Sequence, residues 1–322
     1  MIKKLEIENF KSIKHLKLDC RRVNVFIGEP NTGKSNILES IGLLSHIHYG
    51  QLKEFVRFEM VSNLFYDGDI EKTVKIGFND SAIQIGFKDG LFTGSYFYPS
   101  GQKKIFSYNE RGDGTIDAKE PVFNPFKFYR FSSQCRYDKK PSDFLLPPSG
   151  ENLFMTIRSR GKIKTQVKDI LEPFGLKFMH RELENKGEVV KETEGILISY
   201  PYSTISDTLK RVVFYISAIY SNKDSVIVFE EPESHAFPYY ARYLAELIAF
   251  DKNNNQYFIT THNPYFVLSI LEKTPKDEIR IFIVHFEDYQ TKVTPVREED
   301  MKELMMEGMD FFLNLDRFRG KE

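Results

Sequence analysis

Gly28-Glu29-Pro30-Asn31-Thr32-Gly33-Lys34-Ser35 satisfies the pattern G-x-x-x-x-G-K-[ST] at every fixed position. That is the spacing of a loop that cradles phosphates. Its flanks supply the context such a loop needs. Val23-Asn24-Val25-Phe26-Ile27 reads as a buried strand, and the stretch from Ser35 to Leu44 reads as a helix. On that helix Ile37, Ile41 and Leu44 fall at i, i+4 and i+7, so one face is apolar. Strand, tight turn and helix N-terminus together aim backbone N–H groups and a positive dipole end at an anion. Gly28 and Gly33 allow close approach of the backbone to the phosphates. Lys34 is expected to reach the β- and γ-phosphates, and the Ser35 hydroxyl to ligate Mg²⁺. The residues between them, Glu29, Pro30, Asn31 and Thr32, and the following Asn36 complete the expected nucleotide-binding set. Taken alone, the loop also admits an ordinary glycine-rich turn; three further stretches decide the matter.

Val226-Ile227-Val228-Phe229 is a run of four apolar residues, as in a parallel strand buried on both faces. It ends in Glu230-Glu231-Pro232, and the C-terminal ends of such strands are where ligands bind. Two carboxylates there are hard to explain by packing. Glu230 is expected to hold the magnesium ion or its water, and Glu231 to orient and deprotonate an attacking water. Tyr257-Phe258-Ile259-Thr260-Thr261-His262 is a second such strand, and His262 at its end would donate to a γ-phosphate. Ser203 to Thr208 opens a helix whose Leu209, Val212, Val213, Ile216 and Tyr220 form one apolar face. Ser206 there is either a plain N-cap or a hydroxyl presented to a γ-phosphate.

Bulk properties set the frame. A chain of 322 residues can bury roughly three quarters of its unfolded surface. With 45 basic and 46 acidic residues it is no polybasic coat for nucleic acid. Two isolated cysteines, Cys20 and Cys135, suit neither a disulfide framework nor a zinc site, which points to a reducing, cytoplasmic setting. The N-terminus becomes charged too soon for a signal peptide, and no apolar run approaches the roughly 20 residues of a membrane span.

Alternation predicts strands at Leu5–Ile7 and Leu16–Leu18, a helical stretch at about Gln51 to Phe65, and a meander through Val74–Phe78 and Ile83–Phe87. Pro99 to Pro121 reads as a long loop. A strand at Phe126–Phe131 follows, then a helical region to about Leu171 and three short strands near Phe178, Val189 and Ile196. From Ser206 onward helices and strands alternate to the end. His285-Phe286-Glu287-Asp288 reads as a hairpin turn.

These stretches, in this order, resemble the ABC-class ATPases of the SMC, RecF and OLD (overcoming lysogenization defect) type. Leu5-Glu6-Ile7-Glu8-Asn9-Phe10-Lys11-Ser12 is similar to their N-terminal strand and turn. Glu230-Glu231-Pro232-Glu233-Ser234-His235 through Pro238 resembles their Walker B and D-loop run, and Thr260-Thr261-His262 their switch histidine. The resemblance implies an α/β P-loop NTPase fold. Its core sheet would be mostly parallel, beside an N-terminal antiparallel β subdomain and a helical lobe. It implies a single head over residues 1–322: a lobe with the phosphate loop (1–100), an inserted loop, helical and β region (101–200), and a C-terminal lobe (201–322). It further implies an ATP-hydrolysing switch that forms a homodimer around two Mg²⁺–ATP, with Ser206 touching the nucleotide of the opposite subunit. Phe10 and Lys11 would lie near the base or ribose, and Gln134 is one candidate for the glutamine loop. Two departures stand out. Glu230 replaces the usual Asp, and Asp207 follows Ser206 where the family has a signature Gly. The resemblance is to a head without the Toprim nuclease region of full-length OLD proteins.

The implied output is DNA, or a separate nuclease or toxin partner in DNA repair or anti-phage defence. The alternatives are the nucleotide-binding subunit of a membrane transporter and a non-hydrolysing ATP-dependent scaffold. Arg158, Arg160, Lys162, Lys164 and Lys168 form a basic stretch that is either a DNA-phosphate contact or a solvated helix face. Met301, Leu304, Met305, Met309 and Phe312 form an apolar stripe that either packs on the head or docks a partner.

Overall fold

The computed structural model describes residues 1–307, 312 and 315. β1 (Lys4–Phe10) and β2 (Ile13–Asp19) form a hairpin, and β3 (Val23–Ile27) runs through the phosphate loop into α1 (Lys34–Tyr49). After the short α2 (Leu52–Phe55) come β4 (Val74–Phe78), β5 (Ser81–Lys88), β6 (Leu91–Tyr98), β7 (Gly101–Tyr108) and β8 (Gly114–Ile116). β9 (Phe126–Tyr129) is followed by α3 (Leu153–Ser159) and α4 (Gly161–Leu171). A meander follows, of β10 (Leu176–Arg181), β11 (Lys186–Thr193) and β12 (Ile196–Pro201). Then come α5 (Asp207–Ser221), β13 (Val226–Glu230), α6 (Pro238–Ala249), β14 (Gln256–Thr260) and α7 (Pro264–Lys273). β15 (Ile279–Glu287), β16 (Gln290–Pro295) and α8 (Glu298–Glu307) complete the described chain.

The central sheet has the order β16-β15-β3-β14-β13-β9. Its five strands β15, β3, β14, β13 and β9 are parallel, and β16 is an antiparallel edge. Strand alternation divides its side chains between two cores. Val23, Val25, Ile227, Phe229, Tyr257 and Ile259 join a cluster with α5, α6 and α7. Phe26, Val226, Val228, Phe258, Phe282 and Val284 join another with α1 and the antiparallel sheet β2-β1-β4-β5-β6-β7-β8. Because both faces are covered, the strands read as unbroken apolar runs. α1 is buried on nearly every side, beyond the single apolar face its spacing suggests: Leu38, Glu39, Leu43 and His46 are as enclosed as Ile37 and Ile41.

The structure corrects several expectations. Only Leu52–Phe55 of the Gln51–Phe65 stretch is α-helical, because Val56 turns to extended backbone (φ −129°, ψ 130°) and carries Arg57 toward acids on other elements. The segment after Pro99 is two strands rather than a loop. β7 pairs with β6 through a register shift at Gly94/Ser95, burying Ile105 and Phe106 while Gln102, Lys103 and Lys104 face out. β7 and β8 thus belong to the same seven-stranded sheet as β1 and β2. The turn expected at 285–288 lies slightly later, at Asp288–Tyr289, and returns as β16. Met301 is buried while Met305 is partly exposed; Met309 and the side chain of Leu304 lie outside the described residues. In the basic stretch, Arg158 pairs with Glu182, Lys168 approaches Glu172 at 3.8 Å, Arg160 reaches the Asp143 carbonyl, and Lys162 sits 4.1 Å above the Tyr220 ring. These local partners favour the solvated-face reading. Among the described residues, no helix is long and apolar enough to cross a membrane.

Candidate functional site

Three neighbouring parallel strands, β3, β14 and β13, end on one edge of the sheet, and each hands its next residues to the same cavity of about 590 Å³. From β3 come Pro30 to Asn36, from β13 Glu231, and from β14 His262; Ser12, Arg57 and Phe286 complete the lining. This is the carboxyl-end crevice where open α/β sheets take ligands.

The phosphate loop has the geometry its glycines require. Gly33 precedes α1 with φ +95°, and a Cβ there would fall 1.9 Å from the Thr291 hydroxyl. A Cβ on Gly28 would fall 2.1 Å from the Val284 carbonyl oxygen. Lys34 Nζ donates to the carbonyls of Gly28 (2.9 Å) and Glu29 (2.5 Å). Burial pushes the Lys34 amine down to about 8, against the pull of Glu231 and Glu29. The loop is braced from a distant part of the chain: Thr291 Oγ1 donates to the Thr32 carbonyl (2.9 Å) and meets Ser12 Oγ at 2.7 Å. Asn36 Nδ2 donates to that same Ser12 Oγ at 2.7 Å.

Glu231 sits past the end of β13 in a left-handed conformation (φ 42°). Its backbone N–H donates to the Thr260 carbonyl at 3.0 Å, and Ser234 Oγ donates to its Oε2 at 2.9 Å. A non-glycine residue persists at positive φ only where its surroundings impose it. Its other oxygen lies 3.4 Å from His262 Nε2. Burial and the nearby Lys34 charge hold the His262 imidazole below its ordinary range, against the opposing pull of Glu231.

Glu230 points into a charge cluster behind this edge. Its carboxylate accepts from Arg57 (2.8 Å), Arg130 (3.1 Å) and Ser35. Burial raises its carboxyl, but Arg130, Ser35 and Arg57 together outweigh burial and hold it below the usual range. Glu39, wholly buried on α1, pairs with Arg57 at 2.6 Å, Arg130 at 3.4 Å and Lys11.

Several expected site residues lie elsewhere. Phe10 is fully buried in the core and cannot face a base. Lys11 is tied to Glu39 and the Arg57 carbonyl and borders a separate depression. Ser206 accepts the Leu209 N–H at 3.3 Å as the N-cap of α5, and the contact the resemblance implies for it is with the nucleotide of an opposite subunit. Gln134 is an exposed loop residue. Conversely, Ser12, Glu39, Arg57, Arg130, Glu233, Phe286 and Thr291 were not singled out from sequence. Of these, only Glu39 carried a signal: a charge on a helix otherwise committed to the core.

The donor set suits a magnesium–triphosphate. Ser35 lines the cavity and Glu230, just behind the lining, bonds to its side chain, so the two would offer Mg²⁺ hard oxygens from one side of the cavity.

Comparison with known proteins agrees with this geometry. Residues 1–140 match the family described as "AAA ATPase domain", and residues 75–269 match "AAA domain, putative AbiEii toxin, Type IV TA system". A Helicobacter pylori protein named "ATP/GTP phosphatase" is 22% identical over 355 residues, covering 93% of each chain. Among solved structures, an SMC head bound to the C-terminal winged-helix domain of ScpA superposes with a TM-score of 0.55 at 14% identity, covering 93% of this chain and 99% of that one. An SMC head with an extended coiled coil, bound to the C-terminal domain of ScpA and derived from Pyrococcus furiosus, gives 0.50 at 13% identity, with 95% and 98% covered. The structural likeness concerns the fold. Since the second family match spans more than half of the chain, across the Glu230–Glu231 strand to His262, and the SMC heads share its fold, this protein belongs to the AAA ATPases.

Proposed function

We propose that the protein binds Mg²⁺–ATP in the cavity at the carboxyl ends of β3, β13 and β14 and hydrolyses it, switching between separate and paired copies. One observation carries the reading: Lys34, Glu231 and His262, which follow three different strands far apart in the chain, line the same cavity. The loop N–H groups and Lys34 would hold the β- and γ-phosphates. Ser35 and Glu230 would hold the metal ion, which neutralises charge on the phosphate oxygens. Glu231, bonded to Ser234 and close to His262, would take a proton from water as its oxygen attacks the γ-phosphorus and the bond to the β-bridging oxygen breaks. A neutral His262 retains one N–H with which to sense the γ-phosphate.

Pairing is supported by two exposed aromatics just beyond Glu231: Phe237 is 70% and Tyr239 64% exposed. Rings left in water beside a nucleotide site suit a protein interface. The partner's Ser206 helix would then close each nucleotide, as the resemblance implies. Membership of a family described as a putative AbiEii toxin of a type IV TA system supports a toxin-system setting, and similarity to a protein named ATP/GTP phosphatase supports phosphate release.

The test is a pair of variants. Lys34→Ala is expected to abolish phosphate release and weaken ATP binding strongly. Glu231→Gln is expected to bind ATP but accumulate as a stable ATP-dependent dimer, seen by light scattering. Glu231→Gln protein that turns over at the wild-type rate removes the base assignment.

A further inference from the structure

With Phe10 buried and Lys11 tied to Glu39, the residues expected near the base are unavailable, and the cavity must hold that base another way. We propose that Phe286 is the platform on which the nucleotide base stacks. This rests on the nucleotide reading above and deepens it.

Phe286 is the one large apolar side chain among the cavity's described lining residues; Pro30 is small and the others are polar or charged. A cavity of about 590 Å³ falls in the range that takes a whole drug-sized ligand, so it has room for a base beyond the phosphates. The ring is 51% exposed, an apolar disc left in water at the mouth of a polar pocket. The Arg57 guanidinium also reaches the lining, but Glu39 and Glu230 already hold it.

The position of the ring is also built in. Phe286 pairs directly across the hairpin with Thr291, and Thr291 is the residue that clasps the Thr32 carbonyl and Ser12. A single cross-strand step therefore sets the Phe286 backbone beside the residue that braces the phosphate loop. The tip is held at both ends, by Lys292 bonded to Glu287 (2.7 Å) and Asp288 (2.8 Å) and by Tyr66 Oη bonded to the Tyr289 carbonyl (3.1 Å). A ring set this firmly loses little freedom when a base lies on it.

The experiment titrates wild type, Phe286→Ala, Phe286→Trp and Tyr289→Ala with ATP and with inorganic tripolyphosphate, each in Mg²⁺, by calorimetry. Phe286→Ala is expected to weaken ATP roughly 5- to 150-fold, the loss that removing one base–aromatic stack implies, and to leave tripolyphosphate affinity unchanged. Phe286→Trp retains ATP affinity. Tyr289, 87% exposed on the same hairpin but outside the lining, gives a variant equal to wild type. In turnover, Phe286→Ala raises KM and spares kcat at saturation. Tight ATP binding that ignores Phe286→Ala, or an equal loss for tripolyphosphate, overturns the platform alone. Wild-type protein that binds neither ligand overturns the nucleotide reading, and the platform with it.

Discussion

The Thr261 hydroxyl accepts the Asn263 N–H at 3.0 Å and donates to the Glu233 carboxyl, directly behind the Glu231–His262 pair. Glu233 is only 3% exposed, and its second oxygen has no hydrogen-bond partner. Burial, with a smaller contribution from the Glu231 charge and against the Thr261 bond, pushes this carboxyl up to about 7. The folded value lies above the unfolded one, so the contribution is full below the unfolded pKa near 4.5 and is lost as pH rises toward 7. The loss amounts to roughly 3 kcal/mol at most, taking about 1.4 kcal/mol per pH step. Glu233→Gln cannot ionise. Denaturant unfolding should show its stability gaining on wild type between pH 4.5 and 7, with a constant difference above that window. Glu233→Ala cannot ionise either but leaves the Thr261 hydroxyl without its acceptor, so its stability should follow that of Glu233→Gln with pH and lie about 1–3 kcal/mol below it.

Among the elements, α1 holds the second titration. His46 is fully buried, with Nδ1 facing the Leu43 carbonyl and Nε2 3.1 Å from the Tyr108 hydroxyl, and burial pushes it down to about 4. Here the folded value is the lower one, so stability is complete above the ordinary pKa near 6.5 and drains away as pH falls toward 4. The drain is again roughly 3 kcal/mol. His46→Gln should flatten the acid limb of the stability profile, followed by Tm against pH. The strands and helices of the C-terminal half were legible because their signals are local: four apolar residues in a row, a Pro at a helix start, an Asn or Ser cap. The Lys34, Glu231 and His262 trio was legible for the same reason, each lying at the end of such a strand. Illegible parts depend on distant partners. Lys11 looked like a ligand contact until Glu39 claimed it; Arg130 meets Glu39 across 91 positions, and Thr291 meets Thr32 across 259. β7 was hidden by its run of Gln102-Lys103-Lys104, whose outward side chains mask the buried Ile105 and Phe106.

At the scale of the whole molecule, the cavity draws its lining from Ser12 to Phe286, and the central sheet shares its strands between both cores. Ligand and fold should therefore rise and fall together. Mg²⁺–ATP at one hundred times Kd is expected to add about 2.7 kcal/mol to a single unfolding transition, and Lys34→Ala should erase that shift in a thermal melt. A second consequence concerns α1, whose first turn lines the cavity while its body is enclosed between two sheets. A close-packed wedge of this kind has little room to bend or tilt on its own. A push delivered at Ser35 would therefore move the helix as a unit, and the strands it rests on, β1, β9, β13 and β14, would feel it first.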